Sequence, residues 1–227
     1  MLGNVIFFGR KKCKYTYLLE KYLRKNSKKL IFFESDRKSK NINIKKLKKE
    51  KIDFIFCFRS FYILKKNLLK KCKVNAINFH PGLPSYRGIG AINFAIKKNE
   101  KYFGCTAHFI NEKIDNGKIL DVIKFKINKK DDLDCLLKKT HKNLYILSKK
   151  VIKNVIIDNF HYLKLQNKKS YVWSKKLYTL KELNKLYEIK MNLDKNLIKT
   201  IMRATYTKKY KPYIIINNNK YHLINEN

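Results

Sequence analysis

Apolar runs of strand length alternate with amphipathic stretches along the first two-thirds of the chain. "NVIFFG" (4–9), "KLIFFES" (29–35), "DFIFCF" (53–58) and "VNAINF" (74–79) are dense in aromatic and β-branched residues. Such runs predict strands buried on both faces. Between them, "YTYLLEKYLRK" (15–25) sets Tyr15, Leu18, Leu19 and Tyr22 at helical spacing, and "ILKKNLLKK" (63–71) predicts a basic amphipathic helix. "NINIKKLKKEK" (41–51) reads as a short helix or a polar connection. Strands alternating with helices predict an α/β fold, with a mostly parallel twisted sheet flanked by helices and its chemistry at the carboxyl ends of the strands.

Farther along, "GAINFAIKKN" (90–99) predicts a helix, and "YFGCTAHFI" (102–110) and "ILDVIKFKI" (119–127) predict strands on either side of a turn at "DNG" (115–117). Residues 132–156 predict a long amphipathic helix capped at Asp131. The remainder is less regular: a helix over 179–190 and a terminal hairpin over 210–224 are its clearest signals. The pattern divides the chain into a domain at 1–156 and a smaller C-terminal extension at 157–227.

Composition alters this picture less than its charge suggests. Lys and Arg number 54 against 17 Asp and Glu, giving a formal net charge of +37. The lysines run through every segment without forming a block, which describes a solvated coat with non-specific affinity for polyanions better than a nucleic-acid footprint. Five cysteines without a C-x-x-C pair, three of them in the apolar runs "FIFCF", "FGCTAHF" and "DCLLK", fit free buried thiols in a reducing compartment. No stretch approaches the roughly 18 apolar residues of a membrane span, and the first apolar run is too short for a secretory signal. A cytoplasmic protein is the expectation.

Backbone-special residues are scarce and clustered. The chain has only seven glycines and three prolines, yet "NFHPGLPSYRG" (78–88) contains two of each. Five of the seven glycines lie between positions 82 and 117, with Asn78, His80, His108, Glu112 and Asp115 nearby. Asn78 and His80 are two apart at the end of a predicted strand, so both side chains can point to one face. An oxyanion donor (Asn), an acid/base or charged donor (His) and an orienting or proton-accepting carboxylate (Asp) suit acyl transfer. From the residues alone, loop-capping hydrogen bonds are the alternative reading of Asn-x-His.

"AINFHPGLPSYRGIGAINFAI" followed by "YFGCTAHFINEKIDNGKIL" resembles the 10-formyltetrahydrofolate-dependent formyltransferase family, on Asn78, His80, Pro84, Arg87–Gly88, Thr106, His108, Asp115 and Gly117. The resemblance spans residues 53–127. The loop after His80, one residue shorter than is common in that family, and the C-terminal stretch are most similar to the sugar-nucleotide N-formyltransferase branch.

The resemblance implies a Rossmann-like formyltransferase fold and 10-formyltetrahydrofolate as formyl donor. The acceptor would be a small amine, in that branch a nucleotide-linked amino sugar. It further implies that Asn78 and His80 stabilise the oxyanion, and that Asp115 takes the amine proton, directly or through water, and polarises His80. Phe61, Tyr62, Ile63 and Leu64, with Asn111, Glu112, Lys113 and Ile114, would hold the pterin through backbone groups, with Thr106 and His108 behind the catalytic residues; a satisfied histidine on an apolar strand is the other reading of His108. Methionyl-tRNA is the alternative acceptor, although the residues after 156 are too few for a helix and a full C-terminal barrel. Glycinamide ribonucleotide is a third acceptor, and a nucleic-acid-binding protein on a relic of the fold is the competing class. The aromatic C-terminal segment is a possible homodimer contact.

Outside the motif the signals thin out. "FFGRKK" could meet a phosphate through Gly9 and Arg10, but it lacks G-x-G-x-x-G. Trp173 reads as core packing or as a platform for a substrate ring. His141, His161 and His222 read as surface or packing residues, and no metal-ligand spacing is present.

Overall fold

The computed structural model describes residues 1–38, 43–47, 49–158, 162–163 and 171–224. The first strands form as the apolar runs predict: β1 (Leu2–Arg10), β2 (Ser27–Ser35), β3 (Ile52–Phe58) and β4 (Cys72–His80), with α1 (Lys14–Asn26) after β1 and the single-turn α2 (Lys66–Leu69) before β4. After β5 (Arg87–Gly88) and α3 (Ala91–Lys97) come β6 (Tyr102–Phe109), β7 (Ile119–Lys126) and the long α4 (Leu133–Asp158). The C-terminal region adds β8 (Leu177–Tyr178), α5 (Leu180–Tyr187), α6 (Lys195–Thr205), β9 (Tyr213–Ile216) and β10 (Asn219–His222).

The main sheet has six strands in the order β2-β1-β3-β4-β6-β7. Its first four strands are mutually parallel, while β6 runs antiparallel to β4 and β7 antiparallel to β6. Alternation along β1 shows why the strand is apolar throughout. Val5 and Phe7 pack with Leu19 and Leu23 of α1 and Leu147 and Val151 of α4, whereas Ile6 and Phe8 pack on the opposite face with Leu47, Leu64 and Leu68. A third cluster joins Tyr86, Ala95 and Phe103 to Tyr178, Leu183, Leu186, Ile201 and Ala204, so the C-terminal helices share a core with α3 and β6. There the Asn93 side-chain amide donates to the Ala204 carbonyl at 2.7 Å.

Several expectations need correction. The helix expected over 63–71 shrinks to one turn, because Ile63 and Leu64 belong to the loop leaving β3 and β4 begins at Cys72. The cap of α4 is Asp132, whose Oδ1 accepts the Cys135 N–H at 2.6 Å; Asp131 instead accepts the Asn128 N–H and the Lys139 ammonium. Cys72 and Cys135 are half-buried, while Cys13, Cys57 and Cys105 are buried; all five thiols are free. Residues 41–51 contain a short 3-10 turn at Lys45–Leu47, and 41, 42 and 48 lie outside the described residues, as does His161. The unanticipated α6 carries a local signal: the Asp194 carboxylate accepts the N–H groups of Asn196 and Leu197 ahead of Leu197, Ile198 and Ile201.

Candidate functional site

The antiparallel pairing of β4 with β6, not a parallel neighbour, assembles the chemistry. It sets Asn78 opposite His108 and His80 opposite Thr106. The Asn78 amide lies 3.1 Å from His108 Nε2 and 3.4 Å from Asp115 Oδ1. The other carboxylate oxygen of Asp115 is 3.2 Å from His80 Nδ1 and accepts the Gly88 N–H at 2.9 Å. His108 Nδ1 lies 2.7 Å from the Phe109 carbonyl, and its Nε2, beside the Asn78 amide, is also 3.4 Å from Asp115 Oδ1. His80, His108 and Asp115 are buried, and Asn78 is half-buried. Burial alone would push the Asp115 carboxyl up. The charge on His80, the hydrogen bond and charge of His108 and the Gly88 N–H outweigh burial and hold it below the ordinary carboxylate range.

Both ring nitrogens of His80 face oxygen: Nδ1 meets Asp115, and Nε2 lies 2.9 Å from the Tyr86 carbonyl. A neutral ring can donate to only one of them. The loop that supplies the Tyr86 carbonyl explains the clustered glycine and proline. A Cβ on Gly82 would fall 2.5 Å from His80 Nε2 and 2.9 Å from the Ala91 side chain, so only glycine lets the chain pass the ring. Thr106 fixes that loop by donating its hydroxyl to the Gly82 carbonyl at 2.7 Å.

The two segments assigned to the pterin share a hydrophobic cluster, which holds Leu64 and against which Tyr62 and Ile110 pack, and Lys66 pairs with Glu112 at 2.8 Å. Their side chains differ in fate. The Tyr62 ring stacks on Phe8 with centroids 5.1 Å apart, Leu64 is buried and Ile63 is exposed, as are Asn111, Glu112, Lys113 and Ile114. The Phe61 and Tyr62 N–H groups are committed to the Ser35 and Ser60 hydroxyls.

A cationic group beside the site was only partly visible in the sequence. Gly9 pairs with Phe58, and Phe58 with Phe79, so β1 and β4 end at Arg10 and His80 while Arg59, with φ +54°, turns out of β3 between them. Burial and the neighbouring Arg37 lower the Arg10 pKa, against Asp36 and Tyr210; burial and Arg10 lower that of Arg59. Arg59 donates to the Cys13 sulfur at 3.4 Å, and the Arg10 guanidinium lies 4.5 Å over the Phe61 ring.

His141, half-buried against these arginines, is pushed down to about 3, first by burial and then by Arg59 and Arg10. The unfolded chain binds a proton near pH 6.5 that folded His141 refuses until about 3. Stability from this group is therefore full above about 6.5 and is lost as pH falls through that window. His141→Gln should flatten the loss of stability between those limits in urea melts at stepped pH, and an unchanged slope would contradict the assignment.

Trp173 is neither plain core nor free. It is half-buried, donates its indole N–H to the Gly117 carbonyl at 2.7 Å and meets His108 and His80 edge-on, with centroids 4.9 and 5.9 Å away. His222 is exposed on β10 with Nδ1 3.3 Å from the Lys211 carbonyl. Among the described residues no group of three or more His, Cys, Asp or Glu could hold a metal ion, and no helix is long and apolar enough to cross a membrane.

Residues 7–152 match the model of a family described as formyl transferase. The bifunctional polymyxin resistance protein ArnA of Wigglesworthia glossinidia brevipalpis is 38% identical over 146 residues, which cover 56% of this chain and 22% of that protein. The methionyl-tRNA formyltransferase of Finegoldia magna is 32% identical over 124 residues, covering 52% of this chain and 39% of that one. The chain thus spans less than half the length of either curated relative. Among solved structures, an N-formyltransferase from Helicobacter canadensis in complex with folinic acid and dTDP-3-aminofucose superposes with a TM-score of 0.72. It is 22% identical, with 97% of this chain and 86% of that one covered.

Proposed function

Because the chain belongs to the formyl transferase family, we propose that it moves a formyl group from 10-formyltetrahydrofolate to the amine of a nucleotide-linked sugar, in the cytoplasm. The observation that carries this reading is the convergence of Asn78, His80 and Asp115 at the carboxyl end of β4. 10-Formyltetrahydrofolate supplies the carbon that the amine attacks and a leaving nitrogen that departs with the amine's proton.

The half-buried Asn78 amide turns from Asp115 to the developing oxyanion, with His80 as the charged donor behind it. To donate directly, His80 would have to exchange its Tyr86 carbonyl partner for the oxyanion. A carboxylate held below its ordinary range is a weak proton acceptor. Asp115 therefore serves chiefly to keep His80 oriented and charged, while the amine proton leaves through water. The loops 61–64 and 111–114 receive the pterin, and with Phe61 and Tyr62 N–H groups committed, its edge falls to the backbone of Ile63 and Leu64.

The acceptor class is supported by Arg10 at the end of β1 and Arg59 just past β3, beside β4, which would carry a diphosphate while the sugar amine reaches Asn78. Arg59→Gln is expected to raise the acceptor KM by about 10–100-fold with kcat changed far less, the loss of one charged hydrogen bond. An unchanged acceptor KM would remove Arg59 from the site. Methionyl-tRNA as acceptor draws support from the Finegoldia relative. The sugar-nucleotide reading draws support from the Helicobacter canadensis structure, which is in complex with dTDP-3-aminofucose. The extension at 157–227 would complete the acceptor side, and exposed Ile215, Ile216 and Tyr221 on β9–β10 would meet a second copy.

The test offers 10-formyltetrahydrofolate with nucleoside-diphosphate amino sugars, glycinamide ribonucleotide and methionyl-tRNA in parallel and follows tetrahydrofolate release. Release with an amino-sugar nucleotide is expected; release with methionyl-tRNA alone would overturn the acceptor assignment.

A further inference from the structure

Arg87 spends its guanidinium on main-chain carbonyls. Nε donates to the Asp115 carbonyl at 2.7 Å, Nη2 to the Ile114 carbonyl at 2.8 Å and Nη1 to the Ser174 carbonyl at 3.0 Å. The first two are consecutive carbonyls of the turn that presents Asp115, and the third belongs to the C-terminal segment. The next residue, Gly88, gives its N–H to the Asp115 carboxylate. One dipeptide therefore grips both the backbone and the side chain of Asp115. That grip matters because Asp115 has φ +41°, a left-handed conformation that a non-glycine residue keeps only when its surroundings impose it.

The dipeptide is itself held from the C-terminal side. β5 pairs in parallel with β8, Ile89 N–H donates to the Tyr178 carbonyl at 2.9 Å, and Ser174 N–H to the Pro84 carbonyl at 3.0 Å. Gly88 has φ +87°, and a Cβ there would fall 2.2 Å from the Tyr178 carbonyl oxygen, so the two segments meet backbone to backbone. Trp173 reaches the far end of the same turn through the Gly117 carbonyl.

We propose that Arg87 is the positioning residue that holds Asp115 in its left-handed turn, and that residues 171–178 form a strap through which the C-terminal region sets the geometry of the Asn78–His80–Asp115 site. The planar fork of arginine suits three divergent carbonyls; a lysine ammonium offers one point of charge and shorter reach. The catalytic consequence rests on the formyl-transfer reading, but the structural claim does not.

The experiment therefore has two readouts in Arg87→Lys, Arg87→Ala and Trp173→Phe. The first is hydrogen exchange of the Gly88 amide in the substrate-free protein. The second is kcat and donor KM in formyl transfer. In Arg87→Lys, Gly88 exchange should accelerate by about 10-fold or more while β1 and β3 amides keep their protection. At the same time kcat should fall by about 10–100-fold with donor KM within about 3-fold, as expected when a reacting group is misplaced but still present. Trp173→Phe should move both readouts the same way by less, and methylguanidinium should restore part of kcat to Arg87→Ala. Wild-type Gly88 exchange in a folded Arg87→Lys protein would overturn the proposal, as would faster exchange with wild-type kcat. If no acceptor is formylated by the wild type while Arg87→Lys still loses Gly88 protection, the formyl-transfer reading fails and the positioning claim holds.

Discussion

Asp115→Asn is expected to slow single-turnover formyl transfer by about 10³-fold or more, with donor affinity nearly unchanged. The substitution keeps the size of the side chain and removes its charge. The Asp115 oxygen beside His80 and the Gly88 N–H must remain an oxygen to accept the latter. The asparagine nitrogen then faces the Asn78 amide nitrogen, where the carboxylate oxygen lay 3.4 Å away, placing donor against donor. His80 also loses the anion that favours its charged form. Stability should register the same loss. A depressed carboxylate stabilises the fold above its unfolded pKa near 3.9, and that contribution fades as pH falls through the folded value, so the variant should show a flatter acid limb. Comparable rates for wild type and variant, with folding verified by circular dichroism, would remove Asp115 from the mechanism.

Gly82→Ala should be nearly as damaging, although the residue carries no functional group. A methyl group 2.5 Å from His80 Nε2 and 2.9 Å from Ala91 has no free volume, because the imidazole is 3% exposed and held on both sides. Either the ring moves or the loop does, and either movement breaks the Tyr86 carbonyl contact. Overpacking of this kind costs about 1–3 kcal/mol. A displacement of about 1 Å at a reacting group costs about 10²-fold in rate. Calorimetry and steady-state kinetics together check the prediction; wild-type kcat in Gly82→Ala would mean that His80 tolerates displacement and contributes little to turnover.

The parts legible in the sequence were those with a local cause. β1 and β3 are apolar on both faces, so their runs stand out against a lysine-rich chain, and α5 announces itself through Thr179 and Glu182, which form a reciprocal cap. Asn78, His80 and Asp115 stood out through the glycine and proline clustered around them, and only the family resemblance separated them from loop-capping residues. What escaped depends on distance. β5 and β8 are two residues each and pair across about 90 positions, a spacing that leaves no periodicity to read. Arg87 could be seen as a motif member, but its three carbonyl partners lie on segments that only the folded chain brings together. Likewise Arg59 looked like one cation among many until the fold placed it just past the end of β3, donating to the Cys13 sulfur.

The central claim is that this cleft carries a formyl group from the folate to a sugar amine. The most direct measurement uses 10-formyltetrahydrofolate labelled with ¹³C in the formyl group, mixed with enzyme and a nucleoside-diphosphate amino sugar and followed by NMR. The account predicts that the label leaves the folate and appears as an N-formyl amide on the sugar, in step with tetrahydrofolate formation and abolished in Asp115→Asn. Label that stays on the folate, or is released as free formate with every sugar tried, would contradict it.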